Sequence, residues 1–182
     1  MGEIKHSIER IGYGYDHYFL LLAGKYEIST EISKFFNESF SIIGSAIGEN
    51  AVIVRRATEG KIERELRYKY NYYNFRNVQN KIVPDVIEAA LKDEYSPVLL
   101  LSNQHPAHFN ENGKIACISY SALDKAYPNK QELLSDLVKL AKNNEYTVLT
   151  KAMKMDTAEN IKRVKGFSIS VNLGIVSLGI DF

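Results

Sequence analysis

The chain has 182 residues, of which 45% are hydrophobic and 25% charged, and its formal net charge at neutral pH is +1. These values are typical of globular proteins and argue against a disordered chain or a protein whose whole surface is basic enough to bind nucleic acid. The single cysteine, Cys117, excludes an internal disulfide and any cysteine-built zinc or iron–sulfur site, so we expect it to be a small buried side chain.

The N-terminal residues mix acidic and basic side chains and lack the apolar centre of a signal peptide. No apolar run approaches the roughly 18 residues that a membrane helix needs. We therefore predict a cytoplasmic protein without a membrane partner, folded as one globular domain over residues 1–182.

The N-terminal segment has helical periodicity at Ile4, Ile8 and Ile11. It is followed by residues 18–23, a continuous apolar run that predicts a buried strand. The chain is therefore expected to enter its core at this strand.

A helix and a second strand are predicted next. Apolar side chains recur at helical spacing up to Ile47, with Ser29 or Thr30 as the N-cap and Gly48 as the stop. Residues 51–57 then form a second apolar run and predict another strand.

Residues 62–73 have a largely alternating pattern: the even positions are apolar or aromatic except for Arg64, and the odd positions up to 71 are charged or amide side chains. This two-residue period predicts a β-strand that forms a hairpin with residues 51–57. The positions of Ile62, Leu66 and Tyr70 also fit one face of a helix, which is the alternative interpretation.

The second half of the chain predicts a further set of helices and strands. They are a helix from Pro84 to Lys92, a hairpin of strands over 97–102 and 114–120 with Asn112 and Gly113 at positive φ, a helix over 131–142 capped by Asn129, a strand over 146–150, a helical turn over 158–164, and one long strand over 167–182.

This order predicts an α+β fold with a mixed or largely antiparallel sheet and three to four helices. If residues 62–73 are helical instead, the order becomes βαβαββα. That order resembles a thioredoxin-like α/β arrangement, here without its redox cysteines. A resemblance in fold implies no function.

Glycine-containing segments do not indicate a cofactor. Gly24 and Lys25 follow a predicted strand, but the upstream glycine of a phosphate-binding loop is missing and Tyr26 stands where a hydroxyl residue is needed. Gly12 and Gly14 precede a strand, whereas a dinucleotide fingerprint follows one. We therefore expect no cofactor.

The polar loop over 102–111 contains His105 and His108, which are the candidate catalytic residues. Imidazoles titrate near neutral pH and can act as acid, base or metal ligand. A metal site would need a third ligand, and His17 beside Asp16 would qualify only if the fold brought it close. A loop whose polar side chains satisfy turn amides is the simpler explanation.

The second candidate site is the predicted basic hairpin. Residues 55–81 contain eight basic and three acidic side chains, a local net charge of +5 in a chain whose total is +1. Cations near aromatic rings suit phosphate contact and base stacking, or an interface with a protein. The candidate binding residues are Arg64, Arg67, Lys69, Tyr73, Phe75 and Arg76.

The main hypothesis is a non-enzymatic binding module that contacts nucleic acid or a protein partner through this hairpin. One alternative is a small hydrolase or nuclease that uses His105 and His108, with a metal ion or through the imidazoles alone. The other alternative is an assembly subunit whose C-terminal strand pairs with another chain, which in a homo-oligomer would be a second copy of this protein.

Overall fold

The structure is a computed structural model. It describes residues 1–22, 30–57, 61–70, 87, 97–110 and 112–155, together with the backbone of short strands at 164–165, 168–172 and 177–181. The described strands are β1 (Gly2–Lys5), β2 (His17–Leu22), β3 (Ala51–Arg56), β4 (Val98–Ser102), β5 (Ile115–Ser119), β6 (Val164–Lys165), β7 (Ser168–Asn172) and β8 (Ser177–Asp181).

Six of these strands form one mixed sheet in the order β1-β3-β2-β4-β5-β6. The strand β3 pairs in parallel with both β1 and β2, whereas β2–β4, β4–β5 and β5–β6 are antiparallel pairs. The predicted hairpin of β4 and β5 is confirmed. The two remaining strands, β7 and β8, form a separate antiparallel pair.

The described residues also contain six α-helices and two short 3₁₀ helices. The α-helices are α1 (Glu31–Glu38), α2 (Phe40–Ala46), α3 (Lys61–Lys69), α4 (Tyr120–Ala126), α5 (Lys130–Asn143) and α6 (Thr147–Met155), and the 3₁₀ helices are Ile8–Arg10 and Pro106–His108. None of these helices is long and apolar enough to span a membrane.

The predicted caps of two helices are confirmed. Thr30 accepts a hydrogen bond from the Ser33 amide at the start of α1, and Asn129 accepts one from the Gln131 amide at the start of α5. The first predicted helix is divided at Ser39 into α1 and α2. Gly48, which follows α2, has a φ of +82°, a value that strains residues with a Cβ.

Both faces of the sheet are covered at its central strands β2, β3, β4 and β5, which are apolar on both sides. Helices α1, α2, α4, α5 and α6 pack on the first face, against alternate residues such as Phe19 and Leu99. The second face, which includes Leu20 and Leu100, is covered by α3 and the two 3₁₀ helices. Cys117 is fully buried on this second face, as predicted.

Several predicted elements are wrong. Gly2–Lys5 is a strand because it pairs with β3, although its sequence has helical periodicity. Residues 146–150 were expected to be a strand, but Val148, Leu149, Ala152 and Met153 line one buried side of α6. Among the described residues, Asn112 and Gly113 are not at positive φ.

The C-terminal prediction is also corrected. Instead of one long strand over 167–182, the described backbone forms the two strands β7 and β8, with Ser168 opposite Asp181. The predicted helix after Pro84 lies outside the described residues apart from Ile87, which is helical and buried. An α+β fold with a mixed sheet is confirmed, with six described α-helices instead of three to four.

Candidate functional site

The segment predicted to be a basic strand is the helix α3. The hairpin prediction is therefore wrong, and the helical alternative is confirmed by Ile62, Leu66 and Tyr70, which lie four residues apart and are all buried. Three of the predicted binding residues are on or at the end of this helix: Arg64, Arg67 and Lys69. The other three lie outside the described residues: Tyr73, Phe75 and Arg76.

The solvent side of α3 carries cations and one tyrosine. Lys61 and Arg64 are exposed, Arg67 is half-buried, and Tyr68 is 75% exposed. Lys61, Arg64 and Tyr68 are spaced by three and four residues, which places them in one row along a helix. In a strand Arg64 and Tyr68 would share a face but lie about 13 Å apart. The helix makes them direct neighbours, about 6 Å apart.

The acidic residues of α3 are engaged within the protein. Glu63 is buried with a carboxylate oxygen 3.7 Å from the Arg56 guanidinium. Glu65 accepts a hydrogen bond from the backbone amide of Ile8 at 2.8 Å. The solvent side of α3 is therefore positively charged. One of the cations of α3 is itself paired, since Lys69 donates a hydrogen bond to a glutamate of the first 3₁₀ helix at 2.6 Å.

His105 is a buried residue with a backbone partner on each ring nitrogen. Its Nδ1 accepts a hydrogen bond from the Ala107 amide at 3.1 Å, and its Nε2 lies 3.0 Å from the Ile11 carbonyl oxygen. Because the amide can only donate, Nε2 carries the proton and donates to Ile11. The lone pair of this neutral imidazole is occupied, so His105 caps the second 3₁₀ helix and fixes the segment around Ile11.

Aromatic rings enclose His105. The Tyr13 ring stacks on the imidazole with centroids 4.0 Å apart and an angle of 6° between planes. The Tyr18 ring meets it edge-on at 5.4 Å. Burial lowers the pKa of His105, although its hydrogen bond to Ile11 acts in the opposite direction.

His108 is the exposed member of the predicted pair. Its Nε2 lies 3.2 Å from the Tyr13 hydroxyl, and Tyr13 is 62% exposed. The rings of His105 and His108 are 5.5 Å apart. Tyr13 could not be predicted from sequence, since an aromatic residue between two glycines is a weak signal. Chemistry at this loop would therefore have His108 as its solvent-accessible imidazole.

His17 does not complete a site with these two histidines. Its side chain lies on the same sheet face as Phe19, whereas His105 contacts Tyr18 on the opposite face. Burial lowers the pKa of His17. Within the described residues, no group of three potential ligands from His, Cys, Asp and Glu is placed to hold a metal ion.

The two buried histidines predict a loss of stability on acidification. Because burial lowers the pKa of both His105 and His17, the unfolded chain binds protons first as the pH falls below about 6.5. The contribution of the two neutral histidines to the free energy of unfolding is fully present above that pH. It is lost as the pH falls towards their pKa values in the folded state. Urea unfolding from about pH 8 to about pH 5 should show this decline. His105→Gln should reduce it, and a variant profile parallel to wild type would contradict the assignment.

Tyr70 joins α3 to the histidine loop. Its buried hydroxyl donates to the Pro106 carbonyl at 2.7 Å and accepts from the Phe109 amide at 2.9 Å. Its ring also stacks on Phe109 with centroids 5.2 Å apart. The two regions singled out in the sequence thus lie side by side on the second face of the sheet.

Comparisons with known proteins found no matching family model, no matching curated protein and no matching solved structure.

Proposed function

We propose that this protein is a non-enzymatic binding module whose helix α3 contacts nucleic acid, with single strands as the preferred form. The observation that carries the proposal is the division of charge on α3. Its glutamates are engaged inside the protein, while Lys61, Arg64 and the 75% exposed Tyr68 share its solvent side. Cations that contact phosphates beside a ring that stacks on a base are the features of single-strand binding.

The position of α3 supports this role. Ile62 and Leu66 anchor the helix on the sheet, and the Tyr70 hydroxyl fixes its C-terminal end to the second 3₁₀ helix. A rigidly held helix presents its cations without a large ordering cost on binding. The predicted residues Tyr73, Phe75 and Arg76 follow α3 in sequence and lie outside the described residues.

The test is a titration of the protein into labelled single- and double-stranded oligonucleotides at several salt concentrations. Wild type should bind, and binding should weaken steeply with salt. Replacing Lys61, Arg64 and Arg67 together with alanine should reduce the slope of log K against log salt by about 2 for single strands. Tyr68→Ala should weaken binding about tenfold through lost stacking, with little change in slope.

A matched control removes three cations from the other side of the protein. Lys34, Lys125 and Lys142 are exposed on helices of the first face, and their replacement with alanine changes the net charge by the same amount. This control should retain the wild-type slope. Equal slopes for both triple variants, or no binding by wild type at low salt, would refute the nucleic-acid proposal and favour a protein partner.

The hydrolase or nuclease alternative gives a different result in the same experiment. Its accessible group is His108, which has the Tyr13 hydroxyl as partner. Enzymatic activity would shorten the labelled strands during the titration, and His108→Ala would prevent it. Intact strands at full binding support a non-enzymatic module.

For the fold, we propose that β2 to α5 forms a thioredoxin-like arrangement within a single cytoplasmic domain. The support is the βαβαββα order, with β2 parallel to β3, β4 antiparallel to β2, and helices on both faces. The chain has no cysteine before Cys117, so a thiol pair at the start of α1 is absent from its sequence. The proposed arrangement therefore implies no redox function.

A further inference from the structure

The strand β1 (Gly2–Lys5) is an outermost strand of the six-stranded sheet. One of its edges pairs with β3, and its Ile4 side chain is 52% exposed. An outermost strand offers a row of backbone donors and acceptors to another strand, and proteins commonly protect such a row with charges or a proline. The sequence of β1 contains no proline, and its two charges are of opposite sign.

The hydrogen bonds to β3 show which backbone groups face outward. The carbonyl oxygens of Met1 and Lys5 accept from the amides of Ile53 and Ala57 at 2.8 and 2.7 Å. The backbone amides and carbonyls of successive residues point to opposite edges of a strand, so those of residues 1, 3 and 5 point towards β3. Gly2 and Ile4 therefore direct their backbone amides and carbonyls away from β3.

This alternation limits the ways in which β1 can pair with a second copy of itself. In a two-fold antiparallel pair, the axis passes midway between two equivalent residues that face each other, one from each copy. Within β1 these can be the two copies of residue 3, of residue 4 or of residue 5. An axis at Glu3 places two carboxylates opposite each other, and an axis at Lys5 places two ammonium groups opposite each other. Like charges in these positions are destabilising.

An axis at Ile4 gives a self-complementary pair. Ile4 then faces Ile4 of the second copy in a hydrogen-bonded pair, because its backbone groups point outward. Glu3 of each copy faces Lys5 of the other, on the opposite face of the sheet from Ile4. Within one copy Glu3 and Lys5 are already 3.5 Å apart. The four charges would alternate in sign across the interface.

We propose that β1 forms a homodimer by antiparallel pairing with β1 of a second copy, with the two-fold axis at Ile4. The pairing joins the two sheets into one continuous sheet. It uses neither the exposed side of α3 nor the histidine loop, so it is independent of the proposed nucleic-acid surface. The short strand makes the dimer weak and reversible.

The test is sedimentation equilibrium of the untagged full chain from micromolar to several hundred micromolar concentration. Wild type should show a monomer–dimer equilibrium. Glu3→Lys and Lys5→Glu each place like charges opposite one another, so each should weaken its own homodimer by about tenfold. An equimolar mixture of the two variants should form a heterodimer of near wild-type affinity, because lysines of one copy then face glutamates of the other.

The mixture separates pairing from damage to the fold. Glu3 also accepts a hydrogen bond from the Gly12 amide, so Glu3→Lys alone can perturb the monomer. Lost folding would not be restored by mixing. Ile4→Pro provides a second probe, since it removes an outward amide without removing a bond to β3, and it should abolish the dimer.

Four results would overturn the proposal. They are a monomeric wild type at the highest concentration, single variants that dimerise as wild type does, a mixture without heterodimer, and a dimer that persists in Ile4→Pro, which would place the interface elsewhere on the protein.

Discussion

Asp136→Ala is expected to lower the free energy of unfolding by about 2 to 4 kcal/mol. Asp136 is 3% exposed, and its carboxylate accepts hydrogen bonds from the Tyr127 hydroxyl at 2.9 Å and from Lys151 at 2.8 Å. Its removal leaves the fully buried Tyr127 hydroxyl without this acceptor. A buried polar group that loses its partner retains its desolvation cost, which is the main source of the expected loss.

The control for this prediction is Glu132→Ala. Glu132 also pairs with Lys151, at 3.7 Å, but its side chain is 59% exposed. An exposed ion pair contributes little, so this variant should lose less than about 1 kcal/mol in urea unfolding. Comparable losses for both variants would show that the buried hydrogen bond of Tyr127 is not the stabilising element.

The effect of Asp136→Ala should also depend on pH. Burial by itself raises the pKa of the Asp136 carboxyl, but the hydrogen bonds and charges of Lys151, Tyr127 and Lys139 outweigh burial, and the pKa lies below its ordinary value. A lowered carboxyl pKa stabilises the fold above the unfolded-state pKa and is lost as the pH falls through the folded-state pKa. The difference between wild type and variant should therefore narrow below about pH 4.

Much of the sheet could be predicted from sequence because its strands are buried on both faces. Continuous apolar runs such as residues 18–22 and 98–101 need no alternation to be recognised. The strand Gly2–Lys5 has no such run, and only its pairing with β3 defines it. In Thr147–Met155 the β-branched residues favour a strand locally, but the segment is helical because its apolar side packs against the other helices.

The sequence of α3 satisfies both periods, so pattern alone could not decide its structure. Ile62, Leu66 and Tyr70 fit a helical face and are buried, while the alternation that indicated a strand comes from charged positions at the sides of the helix, of which Glu63 is buried and Arg67 half-buried. Packing against the sheet selects the helix. This decision matters for function, because Arg64 and Tyr68 are neighbours about 6 Å apart on a helix, whereas on one face of a strand they would be separated by about 13 Å.

The role of His105 could not be predicted because its partner is distant in sequence. The Ile11 carbonyl that accepts from its imidazole is 94 residues away, and the Tyr13 ring that stacks on it lies in the same distant segment. The sequence indicated a polar loop with two histidines. It contained no signal that one is buried with both nitrogens engaged and the other exposed.

Tyr70→Phe is expected to lower the free energy of unfolding by about 2 to 4 kcal/mol, since one hydroxyl satisfies two backbone groups. The variant keeps the ring and its stacking on Phe109 but removes the donor to the Pro106 carbonyl and the acceptor for the Phe109 amide. Both bonds are buried, so water cannot replace them without opening the loop. Urea unfolding measures the loss, and hydrogen exchange at the Phe109 amide locates it.

Tyr68→Phe is the matched control, because it removes a hydroxyl from the same helix at a side chain that is 75% exposed. Its stability should change by no more than about 0.5 kcal/mol. In Tyr70→Phe, exchange should accelerate at Phe109 before it does at Ala107, whose amide is held by His105. If both amides accelerated equally, the Tyr70 hydroxyl and the His105 ring would hold one cooperative loop. If neither did, Tyr70 would not be the connection between α3 and the histidine loop.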